Sequence, residues 1–394
     1  MTTSRVPSVL RKQGDPEPPT FLELFFDLVY IFTFRRLAHQ LDQSFTAVGM
    51  LRVAVLLLAT WWIWELMVWL TDLFDPRQPY IQFLIILAMF GSLVMALVVP
   101  SAFGGSGWIF VVAYLGIIFT RAAVLITLTR GSPVQARSVR LAFWFGVTGF
   151  AWFAGAFVPD ATVRLVLWAI AVTTDYTAAS IGWITPRLGR TSLESRIFTG
   201  VHVSERHRQI FIIALGEVIL SNGLKFTSTR FESGQWATLV TAFMAVVLLF
   251  LIYARQSRRL LAPPALWSMD RVGPGIVTAY AHLIMVAGVV ALSASDAFVA
   301  LRPVGDLSTV EALAVVAGPA LVLFGTFLFE RAVSGQILWS RPIAIVVLLG
   351  VAPWIDPQPA LVPAIGADVV LAGVFASDIV FRQRWTRSRA GSLT

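Results

Sequence analysis

The 394-residue chain contains no cysteine, only four histidines and little charge. The absence of cysteine excludes structural disulfides, thiolate metal sites, cysteine nucleophiles and thiol redox switching. Charged residues make up 13% of the chain and apolar residues 57%, against about 25% and about 45–50% in a typical soluble domain. Because so little charge cannot cover the surface of a soluble protein of this size, the composition predicts an integral membrane protein.

The chain also lacks the short motifs of soluble enzymes. It contains no phosphate-binding P-loop, no dinucleotide-binding glycine fingerprint, no HExxH pair and no GxSxG nucleophile elbow. Four scattered histidines without cysteine predict no zinc site, and no pattern in the chain predicts a cofactor. An enzyme is therefore the less favoured class, although an activity of the membrane-embedded kind stays open.

Apolar runs dominate the chain instead, and most have the length of about 17–25 residues that crosses a bilayer as a helix. They predict an all-α, polytopic membrane bundle of about 12 transmembrane helices. The predicted spans lie near 20–40, 46–71, 80–99, 108–129, 138–158, 162–184, 207–224, 235–254, 274–294, 310–330, 341–355 and 361–381. The eleventh is the least regular, because Pro342 starts it and Pro353 interrupts its end.

Basic residues are distributed unevenly over the predicted loops and tails. With the N-terminus inside, 22 of the 30 lysines and arginines fall on the cytoplasmic side and only 5 on the outer side. Since positive charge favours the cytoplasmic side of a membrane, this bias predicts that both termini are cytoplasmic. It also explains the net charge of +8 without nucleic acid as a partner.

The longest predicted loop divides the chain into two halves. The predicted organisation is an N-terminal cytoplasmic tail at 1–19, a first six-helix half at 20–185, a cytoplasmic linker at 186–206, a second six-helix half at 207–382 and a C-terminal cytoplasmic tail at 383–394. Each half begins with a helix that carries a carboxylate inside an apolar run, Asp27 in the first and Glu217 in the second. Because six is an even number, both halves would run in the same direction, which leads to the hypothesis of two parallel repeats.

Ionisable side chains inside the predicted spans are candidate functional residues, since a charge in the hydrocarbon costs at least about 2.5–3.5 kcal/mol. Glu23 and Asp27 are four residues apart and share one face of helix 1. Glu217 lies about 15 Å along helix 7 from its predicted start at His207, near the middle of the membrane. Each carboxylate either lines a transport path or belongs to a structural ion pair.

Three more spans carry candidates for transport or ion binding: Arg121 in helix 4, Glu65 in helix 2 and Asp175 in helix 6. Arg121 is a predicted counter-ion for Glu217 or Asp27. Glu65 lies among tryptophans and Asp175 among threonines, so that either could belong to a polar tunnel.

A further candidate group, the cytoplasmic cluster, consists of Glu205, Arg206 and His207 at the predicted start of helix 7. It is compatible with acid–base chemistry at the cytoplasmic face. It is equally compatible with a helix cap combined with an orientation signal.

Two segments resemble motifs of the bacterial low-temperature-requirement A (LtrA) family. Glu23-Leu-Phe-Phe-Asp27-Leu-Val resembles its opening motif, and Glu205-Arg206-His207 followed by Ile213-Ala-Leu-Gly-Glu217 resembles its second motif. The resemblance covers nearly the whole chain and implies a multi-pass protein of the bacterial plasma (inner) membrane, linked by the family's name to growth in the cold. It implies no established biochemical activity. The matching ionisable positions are Glu23, Asp27, Arg206, His207 and Glu217, whereas Gln209 and Val218 depart from the pattern.

Three functions follow as hypotheses. The leading one is a secondary transporter or ion-conducting protein, in which Asp27 and Glu217 bind a small cation or a proton and Arg121 is a counter-charge or gate. The second is a membrane-embedded enzyme that acts on a lipid-like substrate through Glu205, His207 and Glu23 at the cytoplasmic face. The third is a non-transporting cold- or stress-adaptation factor whose charges only hold helices together. The lipid bilayer is the expected surrounding in each case, and the oligomeric state is left open.

Overall fold

The computed structural model describes residues 18–191, 201–227, 233–260, 273–351 and 358–391. In these ranges the chain forms twelve α-helices and no β-strand, as predicted. The helices are α1 (Phe21–Gln43), α2 (Ala47–Leu73), α3 (Pro79–Val98), α4 (Gly107–Leu128), α5 (Pro133–Phe157), α6 (Ala161–Ile181), α7 (Val201–Thr227), α8 (Ser233–Leu260), α9 (Gly273–Leu301), α10 (Thr309–Ser334), α11 (Ser340–Val351) and α12 (Leu361–Gly391). The predicted N-terminal tail, up to residue 17, lies outside the described residues, as does the middle of the predicted linker.

Nine helices within the described ranges are long and apolar enough to cross a membrane, which confirms the polytopic membrane bundle. They are α2, α3, α4, α5, α7, α8, α9, α10 and α12. Helix α1 carries Glu23 and Asp27 in its first half and Arg35, Arg36 and Asp42 in its second, and α6 carries Arg164 and Asp175. Helix α11 has 12 residues and extends about 18 Å, less than the hydrocarbon core of about 30 Å.

Two predicted boundaries differ from the structure. Helix α7 begins at Val201, so the cytoplasmic cluster lies inside this helix rather than in a loop before it. The polar start of α7 resembles a loop in sequence, yet in the fold its basic side chains turn towards acidic side chains of other helices. Helix α12 continues to Gly391, through the segment predicted as the C-terminal tail.

Helix α1 begins at a capping box, for which Thr-x-x-Glu is the sequence signature. The Thr20 hydroxyl oxygen accepts from the Glu23 backbone N–H at 3.4 Å, and the Glu23 side chain accepts from the Thr20 backbone N–H at 2.8 Å. The buried face of α1 repeats at intervals of three and four residues: Glu23, Phe26, Asp27, Tyr30, Phe34, Leu37, Leu41. This spacing places both carboxylates of α1 on the face that packs inward.

The chain divides into two compact units. Unit 1 is Met1–Ile210 with Trp267–Ile276, and unit 2 is Phe211–Leu266 with Val277–Thr394. Unit 1 thus contains α1 to α6 and the first ten residues of α7, whereas unit 2 contains the rest of α7 and most of the later helices. The parallel repeat stays a prediction.

Each unit has a deeply buried helix. In unit 1 this is α2, which packs against α1, α3, α4 and α6 and has 83% of its most apolar stretch buried. In unit 2 it is α9, with 78% buried. Helix α9 approaches α10 closely at two glycines, because a Cβ on Gly288 would lie 2.7 Å from the carbonyl oxygen of Gly318. Small residues allow such close approach of helix backbones in membrane proteins.

Candidate functional site: a buried ionic cluster in unit 1

Six ionisable side chains from three helices come together inside unit 1, and we refer to them as the buried ionic cluster. They are Glu23 and Asp27 of α1, Glu65 of α2, and His202, Arg206 and His207 of α7. Each is at most 3% exposed. Burying charged groups is costly unless opposite charges are paired and hydrogen-bonded, so the contacts within the cluster determine what it can do.

Arg206 connects the two carboxylates of α1. Its Nη1 lies 3.1 Å from Glu23 Oε1, and its Nη2 lies 2.5 Å from Asp27 Oδ1. The guanidinium carbon is 6.0 Å from the ring centroids of Phe26 and Trp64. Two carboxylates and two aromatic faces therefore replace the water that Arg206 loses on burial.

Glu23 uses both carboxylate oxygens. Oε2 accepts from the backbone N–H and the hydroxyl of Thr20, at 2.8 Å each, and so closes the N-terminal cap of α1. Oε1 lies 2.9 Å from His202 Nε2 as well as within hydrogen-bond distance of Arg206. A single side chain thus caps one helix and anchors another.

Asp27 uses only one of its oxygens. Oδ1 accepts from Arg206 and, at 2.8 Å, from the indole Nε1–H of Trp64. Oδ2 is buried and has no hydrogen-bond partner among the described residues. A buried acceptor without a hydrogen bond is energetically costly, so a proton or a small cation at this oxygen would be stabilised.

A second contact in the cluster joins His207 of α7 to Glu65 of α2. His207 Nδ1 lies 2.8 Å from the carbonyl oxygen of Val203, and since a carbonyl only accepts, Nδ1 carries a hydrogen. Its Nε2 lies 3.2 Å from Glu65 Oε2. Nε2 and Oε2 are both acceptors when the imidazole is neutral and the carboxylate is ionised, so a proton between them would stabilise the contact.

His202 was not among the residues singled out from the sequence. Its Nε2 donates to Glu23 and lies 3.4 Å from the Thr71 hydroxyl oxygen, while its Nδ1 is buried without a partner among the described residues. The missed signal is its spacing: His202 and Arg206 are four residues apart and share one helix face, provided that the helix begins before both.

The structure divides the cytoplasmic cluster. Arg206 and His207 turn inward, whereas Glu205 forms an ion pair with Arg208 of its own helix, where both side chains are partly exposed. The three residues that a lipid-directed enzyme would need at one surface, Glu205, His207 and Glu23, are therefore not brought together.

Two other candidates from the sequence lie elsewhere in unit 1. Arg206, rather than Arg121, is the counter-ion of Asp27; Arg121 is 6% exposed on α4 and forms no ion pair with an acidic side chain in the described ranges. Asp175 is buried and accepts from the Thr148 hydroxyl at 2.8 Å. The neighbouring Thr173 and Thr177 are exposed on the other side of α6, so they form no tunnel with Asp175.

Glu217 lies in unit 2, fully buried on α7. It accepts hydrogen bonds from the hydroxyls of Ser221, one turn further along the same helix, and Ser293 of α9. The described part of the chain contains no group of three or more histidine or acidic side chains that could hold a metal ion.

Comparison with known proteins identifies relatives of the chain. The family described as "Bacterial low temperature requirement A protein (LtrA)" matches residues 19–376. A curated relative, the uncharacterized protein RA0937 of Rhizobium meliloti (strain 1021), is 32% identical over 346 residues, which cover 86% of this chain and 84% of the relative. No solved structure matches the chain.

Proposed function

The chain belongs to the bacterial low temperature requirement A (LtrA) family, and we propose that it is a secondary transporter or ion-conducting protein whose buried ionic cluster binds and releases a proton. Its intramembrane carboxylates, Asp27 in unit 1 and Glu217 in unit 2, are the proposed ion-binding groups. The protein is a multi-pass membrane protein of a bacterial family; placement in the inner membrane with both termini in the cytoplasm is part of the proposal.

The observation that carries the proposal is the contact of His207 with Glu65. We propose that the pair carries one proton, which can lie on His207 Nε2 or on Glu65 Oε2, two atoms that are 3.2 Å apart. Imidazole is the side chain that ordinarily changes its charge near neutral pH, and buried histidine–carboxylate chains serve as proton relays in pumps and transporters. Asp27 adds a second site at its unsatisfied Oδ2, on the other side of Arg206 from Glu23.

A flux assay with a matched isostere tests this proposal. The protein is reconstituted into liposomes that contain a pH-sensitive dye, and a potassium diffusion potential drives protons across the membrane. We expect proton flux in the wild type and none above empty liposomes for Glu65→Gln, because glutamine can still contact His207 but cannot release a proton. The double variant Asp27→Asn with Glu217→Gln should also lose flux.

The control variant is Asp42→Asn, which changes a carboxylate near the opposite end of α1, where Asp42 lies beside the exposed His39. It should retain wild-type flux. Absence of flux in the wild type under proton, sodium and potassium gradients would contradict the proposal, and so would unchanged flux in a folded Glu65→Gln protein.

A second function is supported by a separate observation, the double ion pair of Arg206. A side chain that ties the cap of α1 to α7 is what a non-transporting factor would need in order to hold its helices together. For this function, the neutral variants should change thermal stability while no ion gradient produces a flux.

A further inference from the structure

We propose that unit 2 contains a binding site for an alkali cation, formed around Asp296 by Asn222 and Asp368, with Lys225 as a tethered competitor for the bound ion. The site lies outside the buried ionic cluster of unit 1. Binding at the site is independent of the proposed proton chemistry, whereas its use in ion coupling rests on the proposed function.

Asn222 and Asp296 are the core of the site. Both are buried, at 4% and 7% exposure. Asn222 Nδ2 donates to Asp296 Oδ2 at 2.6 Å, which fixes the orientation of the amide because a carboxylate only accepts. The amide oxygen of Asn222 is buried and has no hydrogen-bond partner among the described residues. A neutral oxygen with an open lone pair is therefore held next to a carboxylate.

Asp368 of α12 adds a second negative charge. Its Oδ1 is buried and likewise lacks a partner in the described part of the chain, and its carboxylate is within electrostatic range of Asp296. Two carboxylates that repel each other are stabilised by a cation between them or near them.

Lys225 supplies a positive charge from the end of α7. Its ammonium donates to the carbonyl oxygen of Ser293 at 2.9 Å and is within electrostatic range of Asp296. The hydroxyl of Ser293 in turn donates to Glu217 at 3.2 Å. Lys225 is thus linked through Ser293 to Glu217, and its positive charge acts on Asp296.

The chemistry of these groups favours an alkali ion. Carboxylate, amide, hydroxyl and carbonyl oxygens are ligands for hard cations, not for zinc or copper. The acidic side chains of the described residues nowhere converge in a group of three that would hold a metal ion, as a tight divalent site requires. Because a single ammonium can neutralise Asp296, the position beside this carboxylate is suited to a monovalent cation.

Ion-dependent thermal stability tests the site without any flux measurement. Purified full-length protein in detergent is titrated with sodium, potassium or lithium chloride, with choline chloride keeping the ionic strength constant, and unfolding is followed by tryptophan fluorescence. A ligand that binds only the folded state raises the unfolding temperature as its concentration passes the dissociation constant. We expect at least one alkali ion to do so, and expect Asp296→Asn to abolish the rise.

The Lys225→Met variant should strengthen alkali binding, the opposite of Asp296→Asn, and is the more specific test. Removing the competing ammonium should lower the apparent dissociation constant of the alkali ion by about tenfold or more, because the ion would no longer compete with a tethered positive charge within electrostatic range of Asp296. If Asp296→Asn fails to fold, the Lys225→Met variant and direct binding of radioactive sodium still test the site.

Asp378→Asn is the matched control, because it changes another buried carboxylate of α12, one that pairs with Arg341. It should lower the unfolding temperature but leave the ion-dependent rise intact. A rise that is equal in all variants, no rise with any alkali ion, or a rise with magnesium or calcium alone would overturn the proposal. Alkali binding without flux would leave the site standing and contradict the transporter, whereas proton flux without alkali binding would do the reverse.

Discussion

Unit 1 and unit 2 both bury acidic side chains along α7, but they compensate them differently. In unit 1, Arg206 gives one guanidinium nitrogen to Glu23 and another to Asp27. In unit 2, hydroxyl groups donate to Glu217 and an amide donates to Asp296. Beside α7, unit 1 thus pairs charge with charge and unit 2 uses neutral donors, although elsewhere in unit 2 the buried Asp378 pairs with Arg341.

This difference separates two uses of a buried carboxylate. A carboxylate that is held by a fixed guanidinium cannot readily exchange its cation, since breaking a buried pair is costly. The proposed proton exchange in unit 1 therefore uses the positions that Arg206 does not cover, Glu65 with His207 and Asp27 Oδ2. Carboxylates held by hydroxyls and amides can instead be neutralised by a mobile cation.

The strongest test of this comparison removes the guanidinium of unit 1. Arg206→Met should lower the free energy of unfolding by about 3–5 kcal/mol, because Glu23 and Asp27 would remain buried without their counter-ion. Denaturation of purified protein in detergent, followed by tryptophan fluorescence, measures the change.

Arg208→Met is the control, since Arg208 is two residues away on the same helix and pairs with Glu205 where both side chains are partly exposed. Its loss should change the unfolding free energy by no more than about 1 kcal/mol. Equal effects of the two substitutions would show that Arg206 is not the charge that holds unit 1 together.

An intermediate effect is expected in unit 2, where packing rather than charge joins α9 to α10. Gly288→Ala should destabilise the protein by about 1–3 kcal/mol, because the new methyl group would lie 2.7 Å from the Gly318 carbonyl oxygen. The same denaturation assay applies.

Gly116→Ala in α4 of unit 1 is the counterpart, since nothing lies within 4 Å of a Cβ at that position. It should be neutral or slightly stabilising, because alanine favours a helix more than glycine does. An unchanged free energy of unfolding for Gly288→Ala would mean that α9 and α10 can move apart without loss of stability.

The smallest expected effect is the difference in stability loss between two capping boxes of the same type. Thr20 with Glu23 begins α1, and Ser308 with Glu311 begins α10. Either Thr20→Ala or Ser308→Ala should cost about 0.5–2 kcal/mol through loss of the cap. Thr20→Ala should cost more than Ser308→Ala, because Glu23 also belongs to the buried ionic cluster whereas Glu311 pairs with the half-exposed Arg302.

Stability curves of the two single variants and of the double variant Thr20→Ala with Arg206→Met measure this coupling. Additive losses would indicate that the cap of α1 and the ion pairs of Glu23 are energetically separate.

The helices of this protein were largely predictable from hydropathy. The predicted span 80–99 coincides with α3 to within one residue at each end, and 108–129 coincides similarly with α4. The prediction was wrong at α7, where six residues before His207 are helical. Polar residues at a helix start resemble a loop because hydropathy registers their cost in lipid, whereas their partners on other helices are distant in sequence.

The candidate site was predictable only in part. Helical spacing placed Glu23 and Asp27 on one face, and the structure confirms that both are buried there. The Thr-x-x-Glu spacing of Thr20 and Glu23 is a local sequence signature of the capping box that begins α1. The partners of the carboxylates could not be predicted, because Arg206 lies 179 residues away from Asp27, and several other arginines were equally acceptable from the sequence.

The sequence by itself determined the class of protein, the number of helices and the face on which each carboxylate of α1 lies. These follow from local properties, hydropathy and helical periodicity, which need no knowledge of neighbours. Only the tertiary structure decided that Arg206 neutralises Glu23 and Asp27, that His207 contacts Glu65, and that Asp296 lies beside Asn222 and within electrostatic range of Lys225. Such pairings depend on which helix faces pack together, and that choice is made by the sum of many weak contacts along whole helices.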